Sequence, residues 1–118
     1  MPAWPSPWSQ PHQPGSIADG WALLHEAGLA VAELAQLGPE AMPMSGEDFA
    51  RRAIDAGEAR EGLAIKAIDD CAAAMHYGLK ALIAAREAGR DGTASALTLW
   101  REFDRARDGL LNLTAPYN

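Results

Sequence analysis

The chain has one cysteine, Cys71, among 118 residues. It therefore has no internal disulfide to staple it, and Cys71 has no nearby His in sequence to make it a nucleophile. Aromatic residues make up only 7% of the chain, and β-branched residues are sparse, which argues against a sheet. No uninterrupted run of apolar residues reaches the length of a membrane span, and the N-terminal segment has neither a positive n-region nor a small-residue cleavage site. The expected setting is cytoplasmic, away from a membrane. Basic residues are missing where acidic ones are common: from Met1 to Phe49 there is no Lys or Arg, while Asp19, Glu26, Glu33, Glu40, Glu47 and Asp48 are all acidic. With a formal net charge of -6, a phosphate backbone would be repelled, so no nucleic acid is expected as partner.

What is abundant is helix former. Apolar residues make up 48% of the chain and Ala is the commonest among them, which points to an all-α fold. The length suits one domain. The clearest periodicity runs from Leu63 to Ala88, where Ile65, Ile68, Ala72, Met75, Leu79 and Leu82 recur at steps of three and four. Beside that bulky row lies a row of small residues, Ala67, Cys71, Ala74, Gly78, Ala81 and Ala85, along which a neighbouring helix axis can approach closely. Cys71 is thus expected to be a packed thiol.

Residues 1–15 read M-P-A-W-P-S-P-W-S-Q-P-H-Q-P-G. Proline at this density fixes φ and removes backbone donors, so the segment reads as an extended, polyproline-like arm. Trp4 and Trp8 are large rings for a purely solvating leader, and they are candidate anchors on a protein partner or on the chain's own bundle; a solvated leader is the alternative. Ser16 and Asp19 form a capping-box variant, predicting a first helix to Leu37 that stops at Gly38-Pro39. Its polar surface is one stripe, Asp19, Glu26 and Glu33 at heptad spacing, and a helix so apolar must be covered on more than one side by its own domain or by another subunit. Ser45 with Asp48 predicts a second helix start. Between Gly57 and Gly62 the residues Glu-Ala-Arg-Glu are strong helix formers and no Pro intervenes, which favours one long, bent helix from Gly46 to Ala88, with a break between Gly57 and Gly62 as the alternative. Gly89 and Asp91-Gly92 predict a turn, with Thr93 as N-cap of a last helix whose buried side carries Leu97, Trp100, Phe103, Leu110 and Leu113. Arg101, Glu102, Asp104, Arg105, Arg107 and Asp108 read as its mixed-sign outer face. Residues 16–118 are therefore expected to form a small antiparallel bundle of three to four helices, the count turning on whether the second and third are continuous. Gly20, Gly28, Gly57, Gly62 and Gly78 would each cost about 1 kcal/mol relative to Ala within a helix; close packing over Gly28 and Gly78 is the compensation expected.

The search for chemistry yields no catalytic residue, metal site or cofactor. Bundle metal sites use Glu-x-x-His, which is missing. His76, Gly78 and Lys80 have the residue types of a phosphoryl relay, but Gly precedes the cation rather than following it. Two functions remain. In the first, the chain is a non-enzymatic interaction protein, an adaptor, regulator or assembly subunit of a larger complex such as a phage or other particle. It would be homo-oligomeric and bind a partner with a basic or aromatic-lined surface through Trp4, Trp8, Asp19, Glu26 and Glu33. In the second, a small molecule or metal sits between helices near His25, Met75 and His76.

Overall fold

A computed structural model describes residues 14–38 and 42–116 of the chain. The described residues form four α-helices and no strand: α1 (Pro14–Leu34), α2 (Gly46–Asp55), α3 (Glu58–Glu87) and α4 (Thr93–Leu113). No helix among them is long and apolar enough to cross a membrane.

Helix α1 begins earlier than its capping signal suggests. Pro14 and Gly15, which composition groups with the extended arm, belong to its first turn; proline suits that position because the first amide of a helix has no acceptor to lose. The helix also stops three residues short of Leu37. Gln36 turns into the left-handed region (φ 61), and Leu37 N–H donates to the Ala32 carbonyl at 2.9 Å while Gln36 N–H reaches that of Glu33 at 3.0 Å. This is a Schellman ending. Helix α2 starts beside the beginning of α1: a β-carbon on Gly46 would collide with the Ala18 carbonyl, and Phe49 stacks on Trp21. The two contacts advance together along both helices, so α1 and α2 point the same way where they meet.

Ser45 caps α2 as its sequence predicts, its Oγ accepting from Asp48 N–H at 3.1 Å. The single long helix favoured by local propensity from Gly46 to Ala88 does not form. Gly57, at φ 104 and ψ 157, takes a conformation that only glycine holds cheaply, and it separates α2 from α3. Gly62 lies inside α3 and breaks nothing. Helix α3 ends in a second Schellman arrangement with Gly89 at φ 81, closed by Arg90 N–H on the Ala85 carbonyl at 2.9 Å. Thr93 is the first residue of α4 rather than its cap. Asp91 supplies the capping oxygen, accepting from Thr93 N–H at 3.0 Å and from the Thr93 hydroxyl at 2.7 Å. These bonds, that of the hydroxyl foremost, hold the Asp91 carboxyl below its ordinary pKa.

Helix α1 packs against all three other helices, and α3 against the same α1 and α2 and against α4. Helices α3 and α4 form an antiparallel hairpin, with Gly92 near Leu82 at the turn and Leu99 over Gly78 further along. The buried apolar residues make one cluster, with Ile17, Trp21, Leu24 and Val31 of α1 at its centre. The bulky row of α3 is mostly inside: Ile68, Ala72, Met75 and Leu82 are buried, while Ile65 and Leu79 are partly covered. The small row meets α4 at Gly78, but Ala74 and Ala81 are exposed. The molecule measures 47 × 45 × 18 Å. In a body that thin the outer face of α3 stays in water, including Leu63 and Tyr77, which are 55% and 83% exposed.

The domain thus covers most of α1 by itself. Of its residues 17–34, those exposed are Asp19, Ala22, Glu26, Leu29 and Glu33, so the near-complete apolarity of this stretch does not require a second subunit.

Candidate functional site: a cleft between the first and last helices

A ladder of rings joins three helices. The rings of Phe49 (α2) and Trp21 (α1) stack with centroids 4.0 Å apart and planes 8° from parallel. The His25 imidazole tilts against Trp21 at 4.4 Å and meets the ring of Phe103 (α4) edge-on at 5.4 Å. The Arg107 guanidinium then lies 5.1 Å from the Phe103 centroid, a cation–π distance. Two hydrogen bonds fix the orientation of the ladder. Trp21 Nε1–H donates to the Met44 carbonyl at 2.9 Å, and His25 Nδ1, 2.8 Å from the Trp21 carbonyl, must carry the proton because a carbonyl only accepts.

This ladder ends in an open cavity of about 250 Å³ between α1 and α4. One wall is Ala22, His25, Leu29 and Ala32 of α1, and the other is Trp100, Phe103 and Arg107 of α4, with Met42 closing one side. The sequence opens the space locally: Gly28 has no side chain, so Phe103 sinks against the α1 backbone, and Ala22 and Ala32 leave room above and below it. Leu29 (46% exposed) and Met42 (44%) offer apolar surface to the cavity mouth. Glu26 stands at the rim. Arg107, which composition assigns to the solvated face of α4, is only 7% exposed; its Nη2 donates to Asp104 Oδ1 at 2.9 Å. Its place could be read from spacing, since Trp100, Phe103, Arg107 and Leu110 recur at steps of three and four.

The candidate residues divide sharply. Trp4 and Trp8 lie outside the described residues. Asp19, Glu26 and Glu33 are exposed on α1 at the expected seven-residue spacing, but only Glu26 borders the cleft; Glu33 lines a separate groove with Arg86 and Arg90. Of the three candidate ligand residues only His25 faces the cavity. Met75 is 1% exposed in the core and His76 is exposed on α3, and neither lines the cleft. Their i,i+1 spacing on α3 sends them to different sides of the helix. Among the described residues no three His, Cys, Asp or Glu side chains converge as a metal site requires. Burial pushes the Cys71 thiol up to about 11, the reverse of an activated nucleophile.

No protein-family model matches the chain, and neither a curated protein nor a solved structure is significantly similar to it.

Proposed function

We propose that the chain is a non-enzymatic protein-interaction module, an adaptor, regulator or assembly subunit, whose α1–α4 cleft receives an apolar or aromatic side chain of a partner protein. The observation that carries this reading is the concave, ring-lined cavity with Leu29 and Met42 left exposed at its mouth. Apolar side chains exposed around a concavity are characteristic of binding surfaces. Asp19, Glu26 and Glu33 are exposed along α1, with Glu26 at the rim of the cleft, and favour a partner with basic residues around its anchor. Self-association belongs to the same reading, with the outer face of α3 at Leu63 and Tyr77 as its surface; sedimentation of the wild type against Tyr77→Glu tests that part. A peptide library displayed on phage and panned on the full chain tests the whole. Selected peptides should contain an aromatic anchor flanked by Lys or Arg, and Leu29→Glu should weaken them at least tenfold. Peptides that bind Leu29→Glu as well as wild type would refute the reading.

A small-molecule site is the second reading, favoured by His25 and Arg107 beside the same cavity. Size ranks it lower. Ligand pockets run from roughly 300 to 1,000 Å³, and a space of about 250 Å³ suits a single side chain better.

A further inference from the structure

We infer that two copies of the chain pair through the outer faces of α3, antiparallel, with the two-fold axis beside Ala74, so that each Tyr77 lies on the other copy's Ala73 and each Lys80 meets the other copy's Asp70. This rests on the self-association in the proposed function and adds the direction and register of the contact.

Helix α3 carries a second seam opposite its buried row. Leu63, Lys66, Asp70, Ala73, Tyr77 and Lys80 recur at alternating steps of four and three, continued by Ala84, and every one of them is exposed. That is the heptad rhythm which keeps one helix face turned toward a partner helix. Tyr77, at 83% exposure, is surrounded on its own helix by Ala73, Ala74 and Ala81, three or four residues away and exposed as well. A large side chain facing small ones lets two helices interdigitate.

Charge decides what covers this face. From Leu63 to Glu87 the basic residues Lys66, Lys80 and Arg86 balance the acidic residues Asp69, Asp70 and Glu87. A second copy is therefore met without the net repulsion that the acidic stripe of α1 would raise against itself. Asp70 pairs with Lys66 of its own helix at 3.0 Å. Lys80 has no acid three or four residues away on α3, and the other copy supplies one.

Matching fixes direction and register. Antiparallel helices with 73 opposite 77 also set 70 opposite 80 and 66 opposite 84, over about 36 Å of helix, and the two-fold axis repeats every pair. Parallel helices in register would place Asp70 on Asp70 and Lys80 on Lys80. Sliding the antiparallel pair by one heptad brings Asp70 against Glu87 in one direction and leaves it opposite Ala73 in the other. A further heptad in that second direction shortens the overlap and sets Asp69 against Asp69. The dimer carries two α1–α4 clefts, so a partner with two anchors binds it with avidity.

Sedimentation equilibrium of the full chain provides the test. D70K and K80D should each dimerise at least about tenfold more weakly than wild type, because each sets like charges together twice. An equimolar mixture of the two should recover most of the lost affinity, since contacts between unlike chains again join opposite charges. Direction is read in a C71A background under mild oxidation: A74C should form a disulfide-linked dimer, whereas L63C and A84C, each far from its own copy, should not. Crosslinking at all three positions, a dimer in which A74C does not crosslink, a D70K chain as dimeric as wild type, or a mixture that fails to recover would overturn this arrangement and leave self-association standing. A wild type that stays monomeric at about 1 mM removes self-association and this inference together, while the cleft stands or falls by its selected peptides.

Discussion

Gly28 of α1 lies directly against the ring of Phe103 in α4: a β-carbon on Gly28 would come 2.7 Å from two of the ring carbons. The contact closes one end of the ring ladder and sets the depth of the cleft. Gly28→Ala gains helix propensity of about 1 kcal/mol, but it pushes a rigid ring out of a packed position, which costs about 1–3 kcal/mol. The expected balance is a loss of stability together with a shifted Phe103. Gly62 is the control, since it sits within α3 with nothing inside 4 Å of its would-be β-carbon. Gly62→Ala should stabilise by about 0.5–1 kcal/mol, and chemical denaturation of the two variants should move their midpoints in opposite directions.

Trp21 is fully buried and holds both the ring of Phe49 and the Met44 carbonyl. Trp21→Ala removes the largest side chain in the core and should cost about 3–5 kcal/mol. Trp21→Phe keeps an aromatic face for Phe49 and loses the bond to the Met44 carbonyl, so it should cost about 1–3 kcal/mol and raise amide exchange around residues 42–45. Exchange unchanged there would mean that the indole N–H does not secure the segment.

Backbone conformation separates two further positions. Gly57 has φ 104 and Gln36 has φ 61, and only one of them is the residue best suited to its place. Gly57→Ala should destabilise by about 1–3 kcal/mol, or fuse α2 to α3 and raise helix content. Gln36→Gly relieves a left-handed residue and should stabilise by about 0.5–1 kcal/mol. Denaturant midpoints and circular dichroism of the pair check both signs.

The same two residues show where sequence reasoning stopped. Side-chain period located α3, its buried row and the close contacts at Gly28 and Gly78, because burial acts on every turn of a helix. Chain breaks depend on one dihedral. Glu58, Ala59, Arg60 and Glu61 are good helix formers, so local propensity favoured continuity across Gly57, and nothing about Gln36 marks it as a left-handed residue. The cleft was half legible. His25 was a candidate and Gly28 a close-packing site, but Arg107 was grouped with its charged neighbours, although its spacing from Trp100 and Phe103 puts it on the apolar side. Met42 could not have been placed, because its approach to the cleft depends on tertiary contacts such as the bond from Trp21 to the neighbouring Met44 carbonyl.

Arg52, four residues after Asp48 on α2, reaches across to α4. Its Nε–H donates to Thr114 Oγ1 at 3.1 Å and its Nη2 to the Leu111 carbonyl. A guanidinium at the C-terminal end of α4 satisfies a late carbonyl and complements the helix dipole. The Thr114 hydroxyl, buried with its residue, donates in turn to the Leu110 carbonyl at 2.8 Å. Arg52→Ala should cost about 1–2 kcal/mol, and Arg52→Lys should recover little of it, because an ammonium cannot make the two-pronged contact. Amide exchange at residues 111–115 should rise in both variants. A lysine variant as stable as wild type would reduce the contact to its charge.

Cys71 supplies a pH dependence whose sign can be worked out. Burial pushes its thiol from an ordinary value of 9.0 up to about 11, so the folded chain keeps the proton where the unfolded chain releases it. The unfolded state binds fewer protons in that interval, and stability falls as pH rises. The contribution is complete below about pH 9 and is lost as pH climbs through about 11. Urea midpoints measured from pH 7 to 11 should decline more steeply in the wild type than in Cys71→Ala, a substitution that fits the row of small residues around it. The same protonation should make the native thiol slow toward iodoacetamide at pH 8, with the rate rising once urea unfolds the chain. Equal alkylation rates in the folded and unfolded chain would show that Cys71 is not held in its protonated form by packing between the helices.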